Sequence, residues 1–233
     1  VPIFPALLIW SVAMAAPTEN LPPVDGALLP IGDACYTVQG SEQGKSAGNV
    51  LRRVERLDDQ RLRITVTSRF NGGPLLTSRI ELALPNLRPI RTIEQSDGKT
   101  DLSVRYRGDK ARGTVTGEDG RRRTSEVPLP GPVWDGETIE FVLAALPLAE
   151  GAHFDLPLFH FGREPGVTRI DVRRSIVAQG FERGPTDAWE IEGSTRSDMT
   201  ITFLVAKADR RLLAVDVGGV RSMLGGDCSP LIQ

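Results

Sequence analysis

From Tyr36 onward, hydrophobic and polar residues alternate along most of the chain. In LRITVTSRF, residues 62–70, one face carries Leu62, Ile64, Val66, Ser68 and Phe70, and the other carries Arg63, Thr65, Thr67 and Arg69. A period of two with one apolar face describes a half-buried strand with a solvated back. Segments 47–57, 76–84, 88–96, 101–107, 111–117 and 122–128 behave in the same way. Turn signals fall between them: Asp58-Asp59, Asn71-Gly72-Gly73, Asp97-Gly98, Gly108-Asp109 and Asp119-Gly120. Asp-Gly between alternating runs marks a hairpin, because tight hairpin turns need positive φ. The pattern predicts a meander of sequential antiparallel strands.

One stretch breaks the rhythm. After Pro128, Pro130 and Pro132, the sequence VWDGETIEFVLAALPLAEG places Ile139, Val142, Leu143 and Leu146 at helical spacing. Asp135 or Thr138 can cap the start, and Pro147 ends the helix. Two or three turns with so apolar a face must lie against a sheet. The β pattern resumes at 152–161, 168–180, 187–196, 199–207 and 211–219, with the last two joined by a turn over 207–211. The fold class expected is therefore mainly β: one large antiparallel sheet curled into a half-barrel, with one short helix covering its concave side. No composition shift divides residues 35–228, which read as a single domain.

Ahead of that domain, residues 3–16 read IFPALLIWSVAMAA, an apolar run too short and too interrupted by proline for a comfortable membrane span. Ala13-Met14-Ala15 is a small-residue cleavage pattern, so residues 1–15 are expected to be a secretory signal peptide and 16–34 a proline-containing linker. A buried N-terminal helix, or a membrane tether if the segment stays uncleaved, are the other readings. Export to the periplasm would make Cys35 and Cys228 a plausible disulfide, whereas two free buried thiols are the alternative.

Net charge is −2, from 28 basic and 30 acidic residues, so no global field draws the chain to nucleic acid. Motifs for phosphate cradling, dinucleotide binding and nucleophile elbows are absent, and no cofactor is expected. His153 and His160 are seven apart, on opposite faces of an unbroken strand, which argues against a shared metal. Asp135, Glu137 and Glu140 cluster at the helix start, where capping and dipole compensation explain them. Arg121-Arg122-Arg123 reads as a solvated strand edge, with a phosphate site as the alternative.

Four segments carry a family resemblance: CYTVQGSEQGKSAG, LPNLRPIRTIEQSDGKTDLSVRY, VWDGETIEFVLAALPLAEG and AWEIEG. Over about residues 33–220 the chain resembles a family of exported bacterial proteins of unknown function, similar to the outer-membrane lipoprotein carrier and receptor (Lol) superfamily. The resemblance implies an antiparallel half-barrel with a helix over its open side. It also implies an arginine within the cavity, without assigning which of the many here. It does not imply lipoprotein transport, because one fold serves several roles.

The leading expectation is a non-enzymatic exported binding protein holding a lipid or acyl chain. Ile139, Val142, Leu143 and Leu146 are the candidate lining residues, with Trp134 and Phe141 closing the rim. If the helix and strand side chains fill the concave face, there is no cavity. The rivals are an envelope assembly protein acting through a protein partner, with only peripheral membrane contact, and a hydrolase using Asp135, Glu137 or His153.

Overall fold

The computed structural model describes residues 21–40, 46–117, 119–181, 184–194 and 200–232. The alternating runs become strands. They are β1 (Gly32–Gln39), β2 (Ser46–Asp58), β3 (Arg61–Phe70), β4 (Leu76–Ala83), β5 (Arg88–Ser96), β6 (Lys99–Arg107), β7 (Lys110–Thr116) and β8 (Arg122–Pro128). After the two-residue β9 (Trp134–Asp135) come a 3-10 turn, Gly136–Thr138, and the helix α1, Ile139–Ala144. The remaining strands are β10 (His153–Phe159), β11 (Gly166–Ala178), β12 (Thr186–Ser194), β13 (Thr200–Ala206), β14 (Leu212–Val217) and β15 (Val220–Leu224).

All fifteen belong to one sheet, ordered β8-β7-β6-β5-β4-β3-β2-β1-β15-β14-β13-β12-β11-β10-β9. Every pairing is antiparallel except that of β9 with β10. The sheet is not closed into a barrel by hydrogen bonds, but it curls until the β9–β10 end meets β5–β7 through side chains. At this seam the Phe159 ring stands edge-on to Tyr106, centroids 6.2 Å apart. Phe161 lies flat on Gly113, where a Cβ would collide with the ring.

The inward face is the apolar one. Leu62, Ile64, Ile80 and Leu82 from β3 and β4 are fully buried, as are Leu156, Ile170 and Ile191 from the other half of the sheet. They share one core cluster with Phe141, Val142, Leu143 and Leu146. Burying a side chain of this size contributes roughly 1.5–3 kcal/mol, so α1 is fastened mainly by hydrocarbon.

Three features go beyond the sequence pattern. β9 and β15 are strands that the alternation did not predict. Within the expected linker, Val24 and Leu29 are buried in the main core, and the Asp25 and Gly26 amides donate to the carbonyls of Ala145 and Pro85. That stretch straps α1 to the β4–β5 turn. Cys35 and Cys228 form the expected disulfide, Cα atoms 5.7 Å apart, which holds the C-terminal turn Ser229–Leu231 against the outside of β2 and β3. The expected signal peptide lies outside the described residues. Among the described residues, no helix is long and apolar enough to cross a membrane.

Candidate functional site

The helical cap meets charged groups at two places. At the mouth of the half-barrel, Glu140 in the first turn of α1 forms an ion pair with Arg52 at 2.7 Å. Arg52 sits between Val50 and Val54 on β2, so strand alternation turns it inward with them. Its guanidinium lies over the Tyr36 ring, 4.1 Å from the centroid, and the Tyr36 hydroxyl donates to the Leu212 carbonyl at 2.9 Å. Nε and Nη1 of Arg52 are buried without a hydrogen-bond partner among the described residues. Burial pushes the Glu140 carboxyl above the ordinary carboxylate range, and Arg52 opposes that rise. Beside the pair opens a small cavity of about 40 Å³, with Leu29, Tyr36, Val54, Phe141, Ala144 and Leu212 in its wall. Arg210 and Arg211 stand at its edge, and Arg210 Nη1 reaches the Leu146 carbonyl at 3.4 Å.

The second place is the seam. Asp135 is buried and accepts hydrogen bonds on one oxygen from the Thr92 and Tyr106 hydroxyls, each at 2.6 Å. Its other oxygen accepts from the Glu137 amide at 3.0 Å, capping the 3-10 turn as expected. Glu94 lies nearby on β5. Burial, followed by the charges of Glu137, Asp135 and Asp101, raises its carboxyl to about 7. Partial burial and then Asp135 also raise Glu137, while His160 and Arg163 draw it down. His160 Nδ1 is 3.7 Å from Glu137, and its ring packs against Gly136, where any Cβ would collide with it. The Tyr106 hydroxyl is pushed far above its ordinary value by burial and by Asp135.

The six expected lining residues fall in the core. Val142, Leu143 and Leu146 are fully buried, and Ile139 is partly buried against the same cluster. Phe141 reaches the wall of the mouth cavity. Trp134, expected at the rim, is buried instead; its Nε1–H donates to the Asn86 carbonyl at 3.0 Å, and the Arg88 guanidinium lies over its ring. Strand side chains and α1 pack into one cluster in the concave space, and the opening beside α1 among the described residues is the small mouth cavity.

Of the residues considered for hydrolysis, Asp135 and Glu137 adjoin each other, but His153 does not join them. It is exposed at the start of β10, whereas Asp135 pairs with Phe159 at the other end. The histidine near the carboxylates is His160. Among the described residues, no group of three or more His, Cys, Asp or Glu is placed to hold a metal.

Sequence reasoning missed Arg52, Glu94, Thr92 and Tyr106. For Arg52 a signal existed: a charged residue in step with Val50 and Val54 interrupts an inward apolar stripe. Thr92 and Tyr106 carried no local signal, because they meet Asp135 across 43 and 29 residues of sequence.

A family model described as "Protein of unknown function (DUF3108)" matches residues 35–223, which run from β1 to the end of β15. No curated protein matches the chain, and no solved structure does.

Proposed function

We propose a role for this chain, which belongs to the DUF3108 family of proteins of unknown function, from its own geometry: it is an exported, non-enzymatic binding protein that takes the acyl chain of an amphiphile between α1 and the curled sheet. The observation that carries this reading is the mouth. There an apolar wall from Leu29, Tyr36, Phe141 and Leu212 meets three arginines, Arg52, Arg210 and Arg211, set beside Glu140 and Asp33. Hydrocarbon inside and guanidinium at the edge match a ligand with an apolar tail and an acidic head.

A cavity of about 40 Å³ admits no acyl chain, since ligand pockets run to roughly 300–1,000 Å³. Entry therefore requires α1 to move outward, as a lid. Three features suit it to that role. It is only six residues long, its backbone is not part of the sheet, and it is flanked by Gly136 on one side and Pro147 on the other. An incoming acid group would compete with Glu140 for Arg52, whose Nε and Nη1 have no hydrogen-bond partner among the described residues. The resemblance to the lipoprotein carrier superfamily, where a helix covers a half-barrel containing an arginine, supports the same reading, with Arg52 as that arginine. A disulfide and the apolar leader with its Ala-x-Ala pattern support the periplasm as the compartment. For Asp135, occupation of both oxygens by the protein's own donors favours a structural role over acid–base chemistry.

Native mass spectrometry of the protein purified from the cell envelope, with displacement of a fluorescent fatty acid in parallel, tests the reading. One acyl ligand per chain, displaced by unlabelled oleate, is the expected result. A ligand-free mass together with no fluorescent binding would refute it.

A further inference from the structure

The outer face of the sheet, opposite the side covered by α1, carries a groove. The C-terminal turn, held down by the Cys35–Cys228 disulfide, forms a wall with Leu231 and Ile232, and β2–β5 form the floor. The groove between them measures about 580 Å³, within the roughly 300–1,000 Å³ range of small-molecule sites. Without the pinned turn this face would be an open strand surface. The floor presents three hydroxyls, Thr65, Thr67 and Thr77, with Thr67 directly opposite Thr77 across β3 and β4.

Four arginines and two carboxylates, Glu55 and Asp97, line the groove, and two of the arginines have no carboxylate partner among the described residues. Arg69 has no salt bridge among the described residues, and its Nε is buried without a hydrogen-bond partner. Among the described residues Arg79 is bonded to a neutral group, the Gln95 side-chain oxygen, at 2.7 Å, and has no salt bridge. Arg53 and Arg63 line the same groove but have carboxylate partners, Asp33 at 2.7 Å and Glu81 at 3.4 Å. Arginines also meet one another further along the sheet. Arg91 stands directly opposite Arg105, and Arg105 opposite Arg112, on the solvent side of β5–β7. Arg91 also stands opposite Glu81 on β4 and Arg112 opposite Glu126 on β8, so it is Arg105 that faces an arginine on both sides; the Arg91 Nε is buried without a hydrogen-bond partner among the described residues. Like charges directly opposite on neighbouring strands destabilise a sheet. The other half of the same sheet shows the ordinary arrangement. On β11, Arg169, Arg173 and Arg174 each face a carboxylate, from Asp171, Glu192 and Glu190.

The geometry points to an anion site in this groove, for a phosphate ester that also carries hydroxyl groups. Arg69 and Arg79 bind the phosphate, the threonine hydroxyls and Gln95 meet the polyol, and the Arg91–Arg105–Arg112 row steers the anion in. Arginine's planar fork suits phosphate oxygens, and adjacent arginines raise the anion concentration beside them. The site does not rest on the interior acyl reading, and either can fail alone.

Glycerol 3-phosphate carries the chemistry as a free solute, and phosphatidylglycerol carries the same group as a lipid head. The test measures calorimetric binding of glycerol 3-phosphate and co-sedimentation with phosphatidylcholine vesicles with and without phosphatidylglycerol, both at low salt. Wild type is expected to bind at least one probe, weakening as salt is added. Arg69→Gln/Arg79→Gln should lose at least tenfold, while Arg173→Gln/Arg174→Gln on β11 stays within twofold of wild type. Binding in the solute arm alone assigns a soluble ester, and binding in the vesicle arm alone assigns a headgroup. If the double variant melts early, Arg79→Gln at its exposed position is read in its place, with at least a threefold loss expected. No binding of either probe, equal binding by wild type and the groove variant, or an equal loss in the β11 control overturns the proposal.

Discussion

The helical cap begins among carboxylates and, one turn later, meets a guanidinium. At the seam, Glu94, Asp135 and Glu137 crowd together, relieved by the Thr92 and Tyr106 hydroxyls and the Glu137 amide. At the mouth, Glu140 faces Arg52 with little water around either side chain. The first arrangement repels itself and weakens as its acids ionise. The second attracts, and leaves a stranded charge when either partner is lost. One short cap is thus held by two contacts of opposite electrostatic sense, with a hydrocarbon face between them. Substitutions at each contact should differ in size, in sign and in pH dependence.

The largest effect is expected at the mouth. Arg52→Met leaves the Glu140 carboxyl buried without its cation, at a cost of about 3–5 kcal/mol. An unpaired buried carboxyl escapes part of that cost by taking up a proton, so the loss should be smaller at pH 5 than at pH 8. Arg52→Met/Glu140→Leu should recover most of it. Urea unfolding of the two single variants and the double variant closes this cycle. Equal losses at both pH values would mean that the pair is not the fastening described.

Between the two contacts, Leu143→Ala removes hydrocarbon from a fully buried position. A cost of about 2–5 kcal/mol is expected, with no pH dependence. It supplies the baseline against which the charged contacts are judged.

At the seam, Tyr106→Phe removes one of the two hydroxyl donors to the same oxygen of Asp135. The expected loss is about 1–3 kcal/mol, read from the shift in urea midpoint. The smallest effect has the opposite sign. The Glu94 carboxyl titrates near 7 in the folded protein, above its unfolded value, so the folded state holds the proton more tightly. Its contribution is fully present below the unfolded value, falls as pH rises towards 7, and levels off above that. Glu94→Gln should therefore raise the melting temperature at pH 8 and flatten the stability profile between pH 5 and 7. Discounted for the solvent that reaches this side chain, the gain is about 1 kcal/mol, or roughly 2–4 °C. A melting temperature lowered at pH 8 would show that Glu94 is stabilised where it sits.

Much of this arrangement is legible in the chain. Period-two runs such as 62–70 did become strands, and Leu62 and Ile64 do point inward from the predicted face. The apolar helix did settle on the concave side, because a short helix with that face has nowhere else to bury it. What escaped has physical reasons. β9 is two residues long, too short for any period. β15 follows β14 after a tight Gly218-Gly219 turn and reads as a tail rather than a strand. Residues 24–29 look like linker because their burial depends on α1 and the β4–β5 turn, not on their own alternation. The seam joins Asp135 to β5 and β6 only because the sheet curls, and curvature leaves no mark at the level of single residues. In the outer groove the arginines are visible in sequence as a solvated face. The pinned C-terminal turn that makes that face concave is not.

The central claim is that α1 is a lid that opens while the sheet stays folded, and hydrogen exchange followed residue by residue addresses it most directly. Amides of residues 139–146 should exchange through local opening, faster than those of β3, β4 and β12, and should slow when oleate is added. Exchange of these amides only through global unfolding, unchanged by oleate, would contradict the account.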